Sequence, residues 1–192
     1  MTSYMQRPLG ELLVRVSDSV TVEPGTSYET AGIYSYGRGL FKRGGLDGAS
    51  ISYTRLFKIR SGQLVFSRLF AWEGAIAVVT DEFDGLLVSP EFPVYEIRED
   101  LVHPAYMSQI CTWPALHDSL RDKASGMGNR RQRVNVDQFE RATIPVPSRD
   151  DQMRIIERLG VVRDVCERID EVARRSQALR VSFLSAAFSG KL

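Results

Sequence analysis

The chain has 192 residues, 43% of them hydrophobic, which is enough for a buried core in one domain, or in one domain with an appendage, and excludes an intrinsically disordered polymer. Its formal net charge is +1, so bulk charge gives no argument for a polyanionic partner and any such argument must come from local charge. Cys111 and Cys166 are the two cysteines, far apart and without metal-type neighbours, which argues against a disulfide framework or a zinc site and for reduced thiols.

No apolar run approaches the ~18 residues that span a bilayer, and the opening MTSYMQRPLGEL lacks a secretory apolar core. The expectation is a cytoplasmic protein with no membrane partner.

Along the chain, short apolar runs alternate with turn residues. Ala31–Tyr36, Arg55–Ile59, Gln63–Ser67, Ala75–Thr80, Leu86–Val88, Phe92–Ile97 and Thr143–Val146 read as strands, with Gly37, Gly39, Gly44–Gly45, Ser61–Gly62 and Asp84–Gly85 as breaks between them. Tyr34 and Tyr36 alternate on the first of these strands and so share a face. A helical run from about Pro104 to Ala124 places Trp113, Leu116, Leu120 and Ala124 on one side, and Trp72 and Trp113 read as core aromatics. His103 and His117 have no paired nucleophile nearby and read as structural or solvated rather than catalytic. Strands with one late helical insertion predict an α+β class, a mixed, strand-rich globular domain over residues 1–147.

The composition changes at IPVPS (Ile144–Ser148). Residues 148–192 read as one long helix: Ser148 caps it, Asp151 three residues on completes a capping-box-like pair, and Asp150 and Asp151 favour its positive end. Ile155, Leu159, Val162, Cys166, Ile169, Ala173, Ser176, Leu179 and Phe183 recur at spacings of three and four. About 39 helical residues would extend roughly 58 Å at 1.5 Å per residue, more than a domain of this size covers. The stripe therefore calls for another helix, and Ile155, Leu159, Val162, Cys166, Ile169, Leu179 and Phe183 are the candidate pairing residues. Gly160 and the small side chains at Cys166, Ala173 and Ser176 favour a coiled-coil-like antiparallel or multi-helix association over a long leucine zipper.

Charge is polarised beneath the near-neutral total. Arg38–Arg68 holds seven basic residues and one acid, Glu73–Asp100 eight acids and one base, and Arg121–Arg141 six bases and three acids. The two basic segments either converge on one phosphate-binding face or scatter over the surface. Within the third lies KASGMGNRRQRV (Lys123–Val134), compatible on its own with a phosphate loop, a targeting tag, a base-reading loop or a solvated turn.

Recognised catalytic patterns are missing. There is no G-x-x-x-x-G-K-[ST]; the terminal SGKL lacks the upstream glycine and the following helix, and the glycines of GIYSYGRGLFKRGG do not fall into G-x-G-x-x-G. No amino-methyltransferase signature and no acidic-x-lysine nuclease core occur. The expectation is a non-enzymatic chain with no catalytic residue and no metal site.

Several segments together resemble one family. GQLVFSRLFAWEGAIAVV, GLLVSPEFPVYEI, KASGMGNRRQRVNVDQFERATIPVPSRDDQMRIIERL and the closing FLSAAFSGKL are similar to the specificity (S) subunit of type I restriction-modification systems. The most specific parts are IPVP leading into a helix with Gln152 and Ile155–Ile156, and the final aromatic-Ser-Gly-Lys-Leu. At the junction, where family members usually carry Pro-Pro-x-x-Glu-Gln, this chain reads Pro147-Ser148-Arg149-Asp150-Asp151-Gln152, with the capping serine in place of the second proline.

The resemblance implies a DNA target-recognition domain followed by a conserved spacer helix, which also serves dimerisation and methyltransferase docking. One of each would make a half subunit, and two copies paired through the helix as a homodimer would read an inverted-repeat target. Implied partners are double-stranded DNA, methyltransferase (modification) subunits and motor/restriction subunits. No cofactor is implied for this chain; S-adenosylmethionine, ATP and Mg belong to the partners. The candidate DNA-binding residues are Asn129, Arg130, Arg131, Arg133 and Lys123, with Gly126 and Gly128 allowing close backbone approach, then Lys42 and Arg43 as a second glycine-backed loop, Arg38 and Tyr36 in support, and Arg68. Arginine suits guanine edges and asparagine adenine edges, while lysine and backbone amides hold phosphates. The competing reading is a protein-interaction adaptor whose working part is the long helix.

Overall fold

The computed structural model describes residues 4–121 and 133–189. In chain order the elements are β1 (Met5–Pro8), α1 (Leu9–Leu12), β2 (Leu13–Val16), β3 (Ser19–Thr21), β4 (Ser27–Ile33), β5 (Leu40–Asp47), β6 (Arg55–Lys58), β7 (Leu64–Phe66), β8 (Ile76–Val78), β9 (Leu87–Val88), β10 (Val94–Ile97), α2 (Pro104–Cys111), α3 (Pro114–Arg121), α4 (Val136–Glu140), β11 (Thr143–Val146) and α5 (Arg149–Phe188). The class is α+β, as the sequence predicts. Two compact units divide the chain, the first ending at Gln152 and the second beginning at Met153.

The first unit contains three sheets, ordered β1-β11, β2-β10-β7-β8 and β3-β6-β9-β4-β5. All pairings are antiparallel except β4 with β9. One core cluster draws Ala31 and Val88 from the third sheet and Val65, Ala77 and Val94 from the second, so it lies between these two layers. Phe66, Tyr95 and Phe139 are fully buried; Phe66 and Phe139 stack at 3.9 Å, with Tyr95 about 6 Å from each. This triad ties α4 to β7 and β10, each ring contributing roughly 2–3 kcal/mol by burial. α4 has a capping box in which the Asn135 amide donates to Gln138 Oε1 at 2.8 Å.

The structure corrects several sequence expectations. The helical run over 104–124 is two helices, because Pro114 supplies no amide hydrogen and disfavours a helical Trp113; Ala124 lies outside the described residues. Trp113 is 37% exposed, not a core aromatic. The strand expected over Ala31–Tyr36 ends at Ile33, and Tyr36 sits at φ 64°, so Tyr34 and Tyr36 do not alternate on a strand. Gly44 and Gly45 do not break the chain. They lie within β5, where Gly44, at φ 83°, sits opposite an irregular register between Thr30 and Ala31. Lys42 and Arg43 consequently stand on a strand rather than a loop and, by the two-residue alternation, on opposite faces.

α5 begins as the sequence predicts. The Asp151 amide donates to Ser148 Oγ at 3.3 Å, and the Ser148 hydroxyl donates to Asp151 Oδ2 at 2.8 Å. Among the described residues no helix is long and apolar enough to cross a membrane.

Candidate nucleic-acid interface

The connection from β4 to β5 is a rigid turn. The Tyr34 amide donates to Gly39 O at 2.9 Å, the Tyr36 amide to Glu73 O at 2.7 Å and the Gly37 amide to Gly74 O at 3.0 Å. The Ser35 hydroxyl donates to Glu73 Oε2 at 3.0 Å. These bonds pin the turn to the 71–74 segment and hold Tyr36 in the left-handed region, where a non-glycine residue is strained, with 74% of its surface exposed. Gly37 is required there twice over, by its φ of 66° and because a Cβ would lie 3.0 Å from Thr112 Cα.

Beside the turn, aromatic and cationic side chains stack in series. Arg38 Cζ lies 4.7 Å from the Tyr34 ring centroid, Tyr34 and Phe41 are 4.4 Å apart, and Arg43 Cζ is 5.9 Å from the Phe41 centroid. The tip of the Phe41 ring lies against Gly32, where any Cβ would overlap it.

A second group centres on Glu91. Arg133 Nη2 is 2.6 Å from Glu91 Oε1, the Arg68 amide donates to Glu91 O at 2.9 Å, and the Val134 amide donates to Arg68 O at 2.8 Å. Arg68 Nε and Glu91 Oε2 are buried without a hydrogen-bond partner among the described residues. A cleft of about 350 Å³ joins the two groups, with Phe41, Arg43, Tyr53, Phe70, Glu91 and Phe92 in its wall. Arg68 instead borders a separate cleft with Arg15 and Phe57.

Of the sequence candidates, Tyr36, Arg38 and Arg43 therefore come together on one hairpin, while Arg133 pairs with the Glu91 carboxylate and Arg68 meets Glu91 only through its backbone; Lys42 stands apart on the other strand face. Arg68 does not pair with Glu73 or Asp84. Lys123, Asn129, Arg130 and Arg131 lie outside the described residues, as do Gly126 and Gly128. Sequence reading missed Phe41 and Glu91. The alternation of Phe41 with Arg43 was a usable signal once β5 is read as a strand, whereas Glu91 is hidden among eight acids.

The histidines have structural roles. His103 Nδ1 accepts from the Ala105 amide at 3.0 Å at the start of α2, and His117 Nε2 donates to Cys111 O at 2.8 Å, packed against Gly74, where a Cβ would lie 2.6 Å from its ring. Trp72 donates from Nε1 to Leu69 O at 2.9 Å and carries Arg121 over its ring at 5.6 Å. Among the described residues no group of three or more His, Cys, Asp or Glu side chains is placed to hold a metal.

No protein-family model matches the sequence, and no curated protein matches it. Solved structures do. The chain is similar to the HsdS subunit from Thermoanaerobacter tengcongensis at 23% identity and a TM-score of 0.68, over 90% of this chain and 44% of that one. A structure described as showing complex assembly and conformational transition of the type I R-M system matches at 22% identity and a TM-score of 0.68, over 91% and 45%. The type I restriction-modification S subunit from M. genitalium matches at 12% identity and a TM-score of 0.60, over 97% and 46%.

The chain has the fold of a type I restriction-modification S subunit. It spans less than half the length of the solved structures it matches. Within this S-subunit fold the first turn of α5 is fastened by Gln152, which is 1% exposed. Its Oε1 accepts from the His103 amide at 2.8 Å, and its Nε2 donates to Pro147 O at 3.0 Å and Leu101 O at 3.3 Å. Arg149 adds a bond to Glu99 O at 3.0 Å.

Proposed function

We propose that this chain is a non-catalytic DNA-recognition subunit of a type I restriction-modification complex, directing methyltransferase and restriction partners to a bipartite target. The observation that carries the reading is the S-subunit fold over 90% of the chain. The cationic, aromatic hairpin is consistent with it: guanidinium groups and exposed rings suit contact with phosphates and base edges.

In this reading residues 1–147 form the recognition domain, and residues 148–192 supply the spacer and docking helix. Tyr36, Arg38 and Arg43, with Lys123 and Asn129–Arg131, face the duplex. Two copies associate through α5 and address the two halves of an inverted repeat. S-adenosylmethionine, ATP and Mg act on the partner subunits, and this chain supplies position rather than chemistry.

The test is co-expression with a methyltransferase subunit, co-purification, and sequencing of the methylome of the host cells. One bipartite methylated motif, appearing only when both genes are present, is the expected result. A stable complex that leaves the genome unmethylated and does not shift duplex DNA would replace this reading with the adaptor.

A further inference from the structure

Arg38 and Arg43 of the β4–β5 hairpin are held differently from four other arginines of the first unit. Arg7, Arg60, Arg121 and Arg133 each lie within 4.0 Å of a carboxylate. Arg38 and Arg43 are exposed, have no carboxylate partner among the described residues, and lie instead on the faces of Tyr34 and Phe41. The two rings lie 4.4 Å apart and tilted by 33°, a two-ring pile with one guanidinium over each member.

The pile is fixed from below. Gly32 leaves the space the Phe41 ring fills, and the backbone bonds from Tyr34 and Tyr36 lock the turn above it. Arg38 Nε donates to Ser35 O at 3.1 Å, which orients the guanidinium while leaving its two terminal amino groups for a ligand. A cation without an internal anion, ordered on a ring rather than left to search its rotamers, presents a pre-set donor fork.

We propose that Arg38, Tyr34, Phe41 and Arg43 form a preorganised grip on the phosphodiester backbone of duplex DNA, with Phe41 on Gly32 as its positioning residue. The inference rests on the DNA-recognition reading above and assigns these four side chains a shared mechanical role in it. Two fixed guanidiniums suit two phosphates of one strand, because the planar fork matches phosphate oxygens and a duplex repeats its charge at regular intervals.

The test uses the full chain and a fluorescently labelled duplex of mixed sequence, with binding followed by anisotropy through a salt titration. Arg38→Ala and Arg43→Ala should each reduce the slope of log affinity against log salt by about one, with urea unfolding midpoints unchanged. Phe41→Leu should weaken binding about three- to tenfold at fixed salt, and Phe41→Tyr should restore it. In the Arg38→Ala, Arg43→Ala background Phe41→Leu should have no further effect, since its contribution acts through the two guanidiniums.

A Phe41→Leu loss that persists in that background makes the ring a general structural element and overturns the grip. So do unchanged slopes in both arginine variants while the unaltered chain binds in a salt-dependent manner, an outcome that leaves DNA recognition itself standing. Absence of salt-dependent binding by the unaltered chain overturns both.

Discussion

Gln152 shows how much one side chain can determine. Its single amide satisfies the His103 N–H and the Leu101 and Pro147 carbonyls, three backbone groups that would otherwise be left without a partner beside α5. Gln152→Ala should therefore cost about 2–4 kcal/mol, read as a lower urea midpoint at unchanged m-value. Gln152→Glu should be no better, because a carboxylate has no donor for the two carbonyls. An alanine variant as stable as the parent would show that water replaces all three bonds. Gln152 was legible in the sequence as part of a motif. Its partners were not, since Leu101 and His103 are some fifty positions upstream and nothing in their own spacing points to α5. Glu91 was illegible for another reason: a carboxylate that receives Arg133 looks, in one dimension, like any acid in an acidic run.

Among the elements, α5 was the most legible and the hairpin the least. Cap, length and apolar recurrence all identified the helix, because a 3.6-residue period needs no knowledge of neighbours. The exposed side chains refine its stripe. Val165, at 49%, and Val172, at 66%, continue the three-four spacing through Val162, Ile169, Leu179 and Phe183, all more than half exposed, with larger side chains than Cys166 and Ala173 offer. A helix pairing through this face should be intolerant of charge at its centre. Ile169→Glu should lower the mass measured by light scattering to that of one chain while leaving the helical circular dichroism intact; an unchanged mass would place the pairing face elsewhere. β5 was misread because its two glycines carry a turn signal that cross-strand pairing overrides: Gly44 absorbs an irregular register, and Gly45 stands close to the side chains of Ser27 and Glu29. β1, β2 and β3, all before Ser27, were not read as strands at all. The split between α2 and α3 was readable from Pro114, whose bias against a helical residue before it was outweighed by the apolar spacing across it.

At the scale of the whole molecule, the interior of the first unit sets an alkaline limit. Burial pushes the Tyr106 hydroxyl up to about 12 from an ordinary 10.0 and the Cys111 thiol up to about 12 from 9.0; burial, then Glu140, raises Tyr95 further still. In each case the folded state keeps a proton that the unfolded chain releases, so the stabilisation is complete below the unfolded pKa and is lost as pH climbs through the window between the two values. The urea midpoint should fall steadily from about pH 9 to 12. Tyr106→Phe should flatten that decline while lowering stability at neutral pH, because Pro145 O loses the donor it has at 2.9 Å. An equally steep decline in the variant would place the titration elsewhere.

Charge at this scale also has an internal side. Arg121, which also lies over Trp72, is paired with Asp118 at 3.2 Å, and Arg133 with Glu91 at 2.6 Å. These two arginines bracket residues 122–132, and each is moored to the fold by the very charge that a count of bases would credit to DNA. Of the six basic residues from Arg121 to Arg141, two thus have a carboxylate of the fold itself as partner, and the polycation the sequence advertises is smaller than its arithmetic.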